Sequence, residues 1–252
     1  MDSHLGTFVK PVAVIPFDDT NLKAYWKFDE ASGDIINQSE SDVDLGAGAD
    51  MQVTGATYGA TGIIDEALSF DGVNDYGEVG TSVSQWNYIH EANGLSTICA
   101  WIKLTTLATD TEYIFKTNNN NSAGRGFVFH ITGAEGLNMQ ITTATATCFE
   151  GVTTANYVPD TTNWHFYVVR TDLSTATDTW IWHRDNGNEE KGDRTNIGTA
   201  GDATNKMICC IRNDLSTRAF AGDLDETSFW NKIMSSDDET SLYNGGAGLA
   251  IY

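Results

Sequence analysis

Short apolar runs separated by turn-forming clusters extend along most of the chain, and this pattern predicts an all-β fold. Hydrophobic residues alternate between positions 95 and 104, so Ile98, Ala100 and Ile102 share one face of a strand while Trp101 lies on the other. Many short strands joined by Gly, Asn and Asp turns indicate a two-sheet sandwich or a barrel. The same criteria predict ten further strands, at residues 24–28, 67–70, 76–79, 113–116, 127–131, 137–141, 165–170, 179–183, 207–211 and 226–230.

One short helix is predicted near the end of the sequence, over residues 235–243. Ser235 or Ser236 can cap its first turn, in which three acidic residues favour the positive end of the helix dipole. Gly245 and Gly246 are typical of a helix end. The Thr-, Ala- and Gly-rich stretches 142–155 and 198–205 are interpreted as loops or sheet edges.

The domain organisation predicted from the sequence is a single sandwich preceded by an arm. Residues 1–21 contain two of the three prolines and are interpreted as an extended N-terminal arm, and residues 22–252 as one domain. The first residues lack the pattern of a secretory signal, and no apolar run approaches the roughly 20 residues that a membrane-spanning helix needs.

The net charge of the chain limits the classes of partner that it is expected to bind. The chain has 252 residues with 14 Lys and Arg against 35 Asp and Glu, a formal net charge of -21. Such a chain repels nucleic-acid phosphates and anionic membrane surfaces, so neither nucleic-acid binding nor membrane insertion is expected. The charge favours solubility. The many carboxylates are also compatible with a calcium site in which several of them bind one ion.

The four cysteines form neither a zinc pattern nor a Cys-x-x-Cys motif. The adjacent Cys209 and Cys210 would point to opposite faces of a strand, so a disulfide between them is not expected.

Five motifs in a fixed order resemble the laminin-G-like, concanavalin A-like jelly roll. They include an opening aromatic strand, an Ala-Leu-Ser-Phe-Asp-Gly stretch, a Trp-His strand and a closing Asp-Leu-Asp-Glu strand. The resemblance runs from about residue 22 to about residue 246. The sequence departs from it in an extra Asn at 180–187 and in a missing Gly at 209–214. The five motifs lie at 24–33, 67–76, 95–103, 163–170 and 220–231.

This resemblance implies two stacked antiparallel sheets of about six or seven strands each. Members of the family serve as carbohydrate-binding modules, adhesion domains, recognition proteins and parts of viral fibres, so the fold does not fix the function. The main expectation is a non-catalytic extracellular or particle-surface module that binds a glycan or another cell-surface ligand. The alternative is a structural protein of a virus particle, whose N-terminal arm anchors it to neighbouring subunits of the particle or fibre.

The resemblance also implies a structural calcium ion, because relatives often tie the first and last strands together with one. Calcium takes oxygen ligands from carboxylates, amides and carbonyls. The alternative is that the same residues satisfy turns through side-chain hydrogen bonds to the backbone. The expected ligands lie in the family motifs and are Asp29, Asp71, Asn74 and Asp225.

Two pairs of aromatic residues are candidates for ligand contacts. Trp180 and Trp182 fall on the same face of one strand and would form a stacking platform for sugar rings if exposed. Since Trp is highly buried on average, a place in the core is favoured over such a platform. Trp86 and Tyr88 belong to a second aromatic cluster in a predicted loop, where binding residues concentrate.

Catalysis is not expected. Asp223 and Asp225 share a strand face and superficially resemble a glycosidase pair, whereas Glu226 points away from them. The family's closing strand explains these three residues better, and no His has neighbours that suggest a catalytic triad.

Overall fold

The structure, a computed structural model, describes residues 17–41, 43–119, 124–143, 146–196, 201–212, 214–215 and 217–252, and of residues 146–149 the backbone alone. Over these residues the chain forms two antiparallel sheets and one short helix. This confirms the predicted all-β sandwich. No helix in the described part of the chain is long and apolar enough to cross a membrane.

The first sheet contains eight strands. Seven run in the order β13-β12-β11-β6-β15-β4-β3, and β1 pairs with β15 beside them. The bounds are β1 Leu22–Trp26, β3 Thr57–Thr61, β4 Glu66–Asp71, β6 Leu95–Leu104, β11 His165–Asp172, β12 Trp180–Arg184, β13 Gly187–Gly192 and β15 Ala221–Trp230.

The second sheet contains seven strands in the order β10-β9-β8-β7-β14-β5-β2. The bounds are β2 Met51–Thr54, β5 Tyr76–Val79, β7 Glu112–Lys116, β8 Gly126–Ile131, β9 Leu137–Thr143, β10 Ala146–Val152 and β14 Met207–Cys209.

The main core fills the space between the two sheets. Phe229 lies at its centre, with its ring 5.1 Å from those of Trp86 and Phe115 and 5.5 Å from that of Trp26. These buried rings contribute hydrophobic burial and favourable edge-on ring contacts.

A second, smaller core covers the outer face of the first sheet. Helix α1, Ser236–Tyr243, and the segment after it pack there, and the rings of Trp101 and Tyr243 stack at 5.9 Å. Ser235 caps the helix by accepting a hydrogen bond from the backbone N–H of Asp238 at 3.1 Å. The predicted helix is confirmed. The first sheet consequently carries apolar residues on both faces.

A buried ion-pair network joins α1 to this sheet. Glu239, which is 1% exposed, lies 3.1 Å from Arg170 Nε and 2.5 Å from His183 Nδ1 through its two carboxylate oxygens. The Glu239 carboxylate therefore links the helix to β11 and β12 at once.

The β12–β13 hairpin closes with a two-residue turn. Asp185 and Asn186 both have positive φ, 53° and 56°, and Arg184 pairs with Gly187. Positive φ at both turn positions is typical of a type I′ turn, for which Asn is well suited. The extra Asn of this segment therefore sits in the turn.

Residues 17–21 contact the sandwich. The Phe17 ring meets the Trp230 ring edge-on at 5.8 Å, and the backbone N–H of Asn231 donates to the carbonyl of Asn21 at 2.8 Å. The rest of the predicted arm, residues 1–16, lies outside the described residues. The stretch interpreted as loop or edge at 142–155 contains β10, which is the last strand of its sheet.

Candidate functional site

The candidate tryptophan platform is not formed, because both rings point into the sandwich and belong to its main core, as the competing interpretation predicts. Trp182 is fully buried and donates from Nε1 to the carbonyl of Gly151 at 2.9 Å. Trp180 is 9% exposed, and a Cβ built on Gly192 would lie 2.5 Å from its ring. The sequence places the two residues on the same face correctly, but that face lines the core.

Trp86 and Tyr88 are also core residues. They lie at a short 3-10 turn, Asn87–Ile89, and Trp86 is fully buried while Tyr88 is 9% exposed. Lys23 Nζ lies 5.9 Å from the centre of the Tyr88 ring and covers it further. Neither ring presents a face to a ligand, so this part of the prediction is also wrong.

The four expected calcium ligands do not meet at one point. Asp225 accepts hydrogen bonds from the backbone N–H groups of residues 63 and 64, which precede β4. Asp29 accepts one from the backbone N–H of residue 66, the first residue of β4. Asp71 ends β4 and forms an Asx turn in which Oδ1 accepts from the N–H groups of Val73 and Asn74 at 2.8 and 3.3 Å. Since β4 has six residues, its two ends are about 17 Å apart.

One ion therefore cannot take all four ligands, and the turn interpretation accounts for their hydrogen bonds. Within the described residues, no group of three or more His, Cys, Asp and Glu side chains is arranged to hold a metal ion. Calcium binding itself stays a prediction of the sequence.

The acidic residues of the closing strand are buried too. A bulge gives Glu226 a φ of 44°, and its carboxylate accepts a hydrogen bond from the Tyr25 hydroxyl. Burial raises the pKa of Asp225 to about 8 and that of Glu226 to about 7. Asp223 is 6% exposed and lies 3.7 Å from Lys103. These side chains lack the open space that a glycosidic bond would need between them.

An open polar cavity of about 270 Å³ lies beside the β12–β13 hairpin, and we call it the hairpin pocket. Its lining residues carry two carboxylates, two amides, two hydroxyls and a guanidinium group. Its lining residues are Thr154, Asn156, Tyr157, Arg184, Asn188, Glu189 and Glu190.

Hydrogen bonds fix the frame of the hairpin pocket. Tyr157 is buried, and its hydroxyl donates to the carbonyl of Asn188 at 2.6 Å. Thr154 donates to both oxygens of Glu190, from its backbone N–H at 2.7 Å and from its hydroxyl at 2.5 Å. The loop and the hairpin are thereby held together on either side of the cavity.

Two asparagines in the lining of the hairpin pocket have an unusual backbone conformation. Asn156 and Asn188 have φ of 60° and 50°, a left-handed conformation that Asn tolerates better than most residues, and both are exposed. Each amide offers a donor and an acceptor, and each carboxylate offers acceptors alone. This mixture suits a ligand whose surface is made of hydroxyl groups.

None of the predicted site residues lies in the hairpin pocket. Sequence reasoning found the strand that leads to it, β12, and noted the Asp-Asn-Gly turn at 185–187. It did not find β13, whose sequence is entirely polar and glycine. The detectable signal was the concentration of Asn and Glu directly after an aromatic strand, which is typical of an exposed hairpin.

A second cavity, of about 320 Å³, lies beside the start of β7, between residues 109–112 and 217–219, and we call it the arginine cleft. Arg212 and Arg218 contribute its positive charge, while Asp110 and Glu112 contribute negative charge. Arg218 donates to the Tyr113 hydroxyl at 3.4 Å and lies 4.0 Å from Asp110.

Comparison with protein families matches residues 71–238 to the sequence profile of the concanavalin A-like lectin/glucanases superfamily. A comparison with curated protein sequences finds no match.

Solved structures with the same fold include a botulinum neurotoxin serotype D binding domain, with a TM-score of 0.63 and 10% identity over 89% of this chain and 52% of that one. The binding domain of botulinum neurotoxin DC in complex with SialylT has a TM-score of 0.64 and 11% identity over 89% and 51%. A Trypanosoma rangeli sialidase in complex with sialic acid has a TM-score of 0.62 and 10% identity over 90% and 34%. The chain thus spans about half the length of the toxin chains and a third of the sialidase chain.

Proposed function

The chain belongs to the concanavalin A-like lectin/glucanases superfamily, and on that basis we propose that it is a non-catalytic carbohydrate-binding module. It takes a neutral saccharide in the hairpin pocket. The observation that carries the proposal is the set of amide, carboxylate and guanidinium groups held around one open cavity by hydrogen bonds among its own walls.

Recognition of a saccharide in this pocket rests on hydrogen bonds. Every sugar hydroxyl both donates and accepts, so carboxylates, amides and a guanidinium together can pair with several of them. Hydrogen bonds to charged groups contribute about 1.5–3 kcal/mol each, more than bonds between neutral groups. A preformed pocket loses little further freedom on binding, which favours affinity.

Charge favours a neutral ligand over an acidic one. The hairpin pocket has two glutamates against one arginine, and the whole chain has a net charge of -21. An anionic saccharide would meet a repulsive field on approach and an unfavourable balance in the pocket. Two of the structural neighbours were solved with SialylT and with sialic acid, and we propose a different preference for this chain.

The absence of a catalytic step is part of the proposal. Glu189 and Glu190 both line the pocket, but the Glu189 carboxylate is already engaged, with its Oε2 3.1 Å from His183 Nε2. Glu190 is also engaged through both oxygens with Thr154. A pair of carboxylates on either side of one glycosidic bond is therefore not formed by these two residues.

The setting of this binding is likewise proposed. Saccharides that such a pocket can bind are displayed on cell surfaces, which favours action outside the cell. Calcium binding, and anchoring to a virus particle through residues 1–21, stay predictions of the sequence.

An array of neutral and sialylated glycans tests the proposal when it is probed with the wild-type chain and three matched variants. Asn156→Gly and Asn188→Gly remove an amide from the pocket while keeping a residue that adopts positive φ. Asn186→Gly makes the same change at a φ of 56° on the same hairpin, outside the pocket lining.

We expect neutral glycans to bind, with signals at least about 5-fold weaker for each pocket variant, roughly the loss of one hydrogen bond. Asn186→Gly should bind like the wild type. No glycan binding, or equal binding by all four chains, would overturn the proposal.

A further inference from the structure

Cys209 and Cys210 place their sulfur atoms 3.1 Å apart in the core between the two sheets. Both residues are fully buried and are free thiols in the structure. Non-bonded carbon atoms pack at about 3.5–4.0 Å, and sulfur is the larger atom. The two sulfurs are therefore closer than ordinary packing brings them, and about 1 Å further apart than a disulfide bond.

The backbone explains how adjacent cysteines come together. Strand β14 ends at Cys209, and Cys210 has a φ of 66°. The sequence-based argument against their pairing assumes a strand, which would place the two side chains on opposite faces, and it does not apply here because the strand ends at Cys209. The left-handed conformation turns the Cys210 side chain back toward its neighbour.

Neighbouring strands hold this turn in place. The backbone N–H of Cys210 donates to the carbonyl of Ile114 at 2.8 Å, and the N–H of Phe220 donates to the carbonyl of Cys210 at 2.8 Å. A residue other than Gly or Asn in the left-handed backbone conformation costs about 1–2 kcal/mol. The conformation thus has a cost that the surrounding hydrogen bonds offset.

We propose that Cys209 and Cys210 form a vicinal disulfide when the chain folds in the presence of a low-molecular-weight disulfide such as oxidised glutathione. The thiolate of one cysteine attacks the small disulfide and releases one small thiol. The second cysteine thiolate then attacks this mixed disulfide and releases the other. Two S–H bonds are lost and one S–S bond forms, and the two electrons and two protons end on the two small thiols.

Oxidation must precede complete burial. Burial raises the pKa of the Cys210 thiol well above its usual value, and the adjacent Cys209 raises it further. A buried thiol of this kind is inert, whereas in the unfolded chain both thiols are accessible and have ordinary acidity.

The bond also has a built-in weakness. Consecutive Cα atoms lie about 3.8 Å apart, below the roughly 4.4–6.8 Å that unstrained disulfides prefer. Strained disulfides are easier to reduce than structural ones. The cross-link would fix the residue at which β14 passes into the segment that carries Arg212 and Arg218 of the arginine cleft.

Cys99 is an unsuitable partner for either residue. Its sulfur lies 3.9 Å from that of Met234, in the smaller core on the outer face of the first sheet. Cys209 and Cys210 belong to the core between the sheets.

The test starts from the full chain, unfolded and reduced, then refolded in a buffer of reduced and oxidised glutathione. Thiols are then alkylated under denaturing conditions without reductant, and the intact chain and its peptides are weighed. We expect two of the four cysteines to escape alkylation. Before alkylation, the refolded chain should weigh about 2 Da less than the reduced chain. The peptide that contains residues 209 and 210 should carry an internal disulfide.

Two variants serve as controls. Cys99→Ala should keep the internal disulfide, and Cys210→Gly, which suits a positive φ, should lose it while remaining folded. Alkylation of all four wild-type cysteines, or a disulfide from Cys209 or Cys210 to Cys99 or Cys148, would overturn the inference, and neither result depends on a variant that folds.

Discussion

The guanidinium of Arg184 lies 5.3 Å from the centre of the Tyr157 ring and donates from Nη1 to the carbonyl of the same residue at 2.6 Å. One arginine side chain thus positions a buried aromatic residue and lines the hairpin pocket. A planar group is required for both roles, because lysine neither stacks on a ring in the same way nor offers a fork of donors.

A lysine at position 184 tests whether the planar shape of the arginine side chain matters apart from its charge. Arg184→Lys keeps the charge and is expected to weaken binding of a neutral saccharide by about 10-fold, or about 1.4 kcal/mol. Isothermal titration calorimetry with a glycan selected from the array measures this loss. The control is Arg218→Lys, the same change at the arginine cleft, whose lining is separate from that of the hairpin pocket. Wild-type affinity in the lysine variant would show that Arg184 makes no specific contact.

Glu239 is expected to fix helix α1 to the first sheet. Glu239→Ala removes the carboxylate that pairs with the largely buried Arg170 guanidinium and one of the two carboxylates that pair with His183. We expect a loss of about 3–5 kcal/mol in the free energy of unfolding. Asp237→Ala, at an exposed position of the same helix, should cost about 0.3–1 kcal/mol. Urea unfolding measures both, and hydrogen exchange over residues 236–243 should accelerate in the first variant. Equal effects would mean that the network does not hold the helix.

Stability should fall as the pH rises. Burial raises the pKa of Glu226 from 4.5 to about 7 and that of Asp225 from 3.8 to about 8, so the folded chain keeps protons that the unfolded chain has released. The contribution of these two groups to the free energy of unfolding therefore decreases from about pH 3.8 to about pH 8 and then levels off. The groups that bear on the Glu226 pKa are Tyr25, Lys27, Asp29 and Asp65.

Glu226→Gln isolates this contribution. The melting temperature of the wild type should drop between about pH 5 and pH 8, and the variant should show a shallower decline, because one of the two shifted carboxyls is gone. Two histidines contribute in the same direction. Hydrogen bonds to carboxylates raise the pKa of His183, and they hold the pKa of His165 above its usual value although burial lowers it. A smaller decline of stability with rising pH therefore remains in the variant. Parallel pH profiles for the two chains would exclude Glu226 as a source.

Trp182→Ala tests the assignment of the tryptophans to the core. The change removes a fully buried ring and is expected to cost about 3–5 kcal/mol, whereas Trp182→Phe, which loses mainly the hydrogen bond to Gly151, should cost about 1 kcal/mol. Denaturant unfolding gives both values. Folded Trp182→Phe should bind saccharide with wild-type affinity, and a large loss of affinity with unchanged stability would instead support a stacking role.

The sequence predicts the interior of this fold well. Leu95–Leu104 is found at the predicted residues because its apolar side chains face the two cores in alternation. Two of the strands that escaped prediction, β3 and β13, are half-exposed or polar. In Thr57–Thr61 no residue is buried, and in Gly187–Gly192 all six residues are Gly, Asn, Glu or Lys. Backbone pairing to neighbours, which leaves no local hydrophobic pattern, defines these strands.

The site is harder to predict, for two physical reasons. The first sheet is covered on both faces, so the shared face of Trp180 and Trp182 could not be assigned to solvent or core from alternation alone. The Asx residues near β4, such as Asp71, have the same sequence pattern whether they bind calcium or backbone N–H groups. The hairpin pocket depends on a loop and a hairpin that are distant in sequence, since the contacting residues 154 and 190 are 36 positions apart.

The most direct measurement of the proposed function is an NMR titration of the full chain with a neutral oligosaccharide selected from the array. Binding in the hairpin pocket should shift the amide signals of residues 154–157 and 184–190 in a saturable manner. The signals of residues 109–112 and 217–219, at the arginine cleft, should stay unchanged. Saturable shifts confined to the arginine cleft, or no shifts in residues 154–157 and 184–190 at saturating saccharide, would contradict carbohydrate recognition in this pocket.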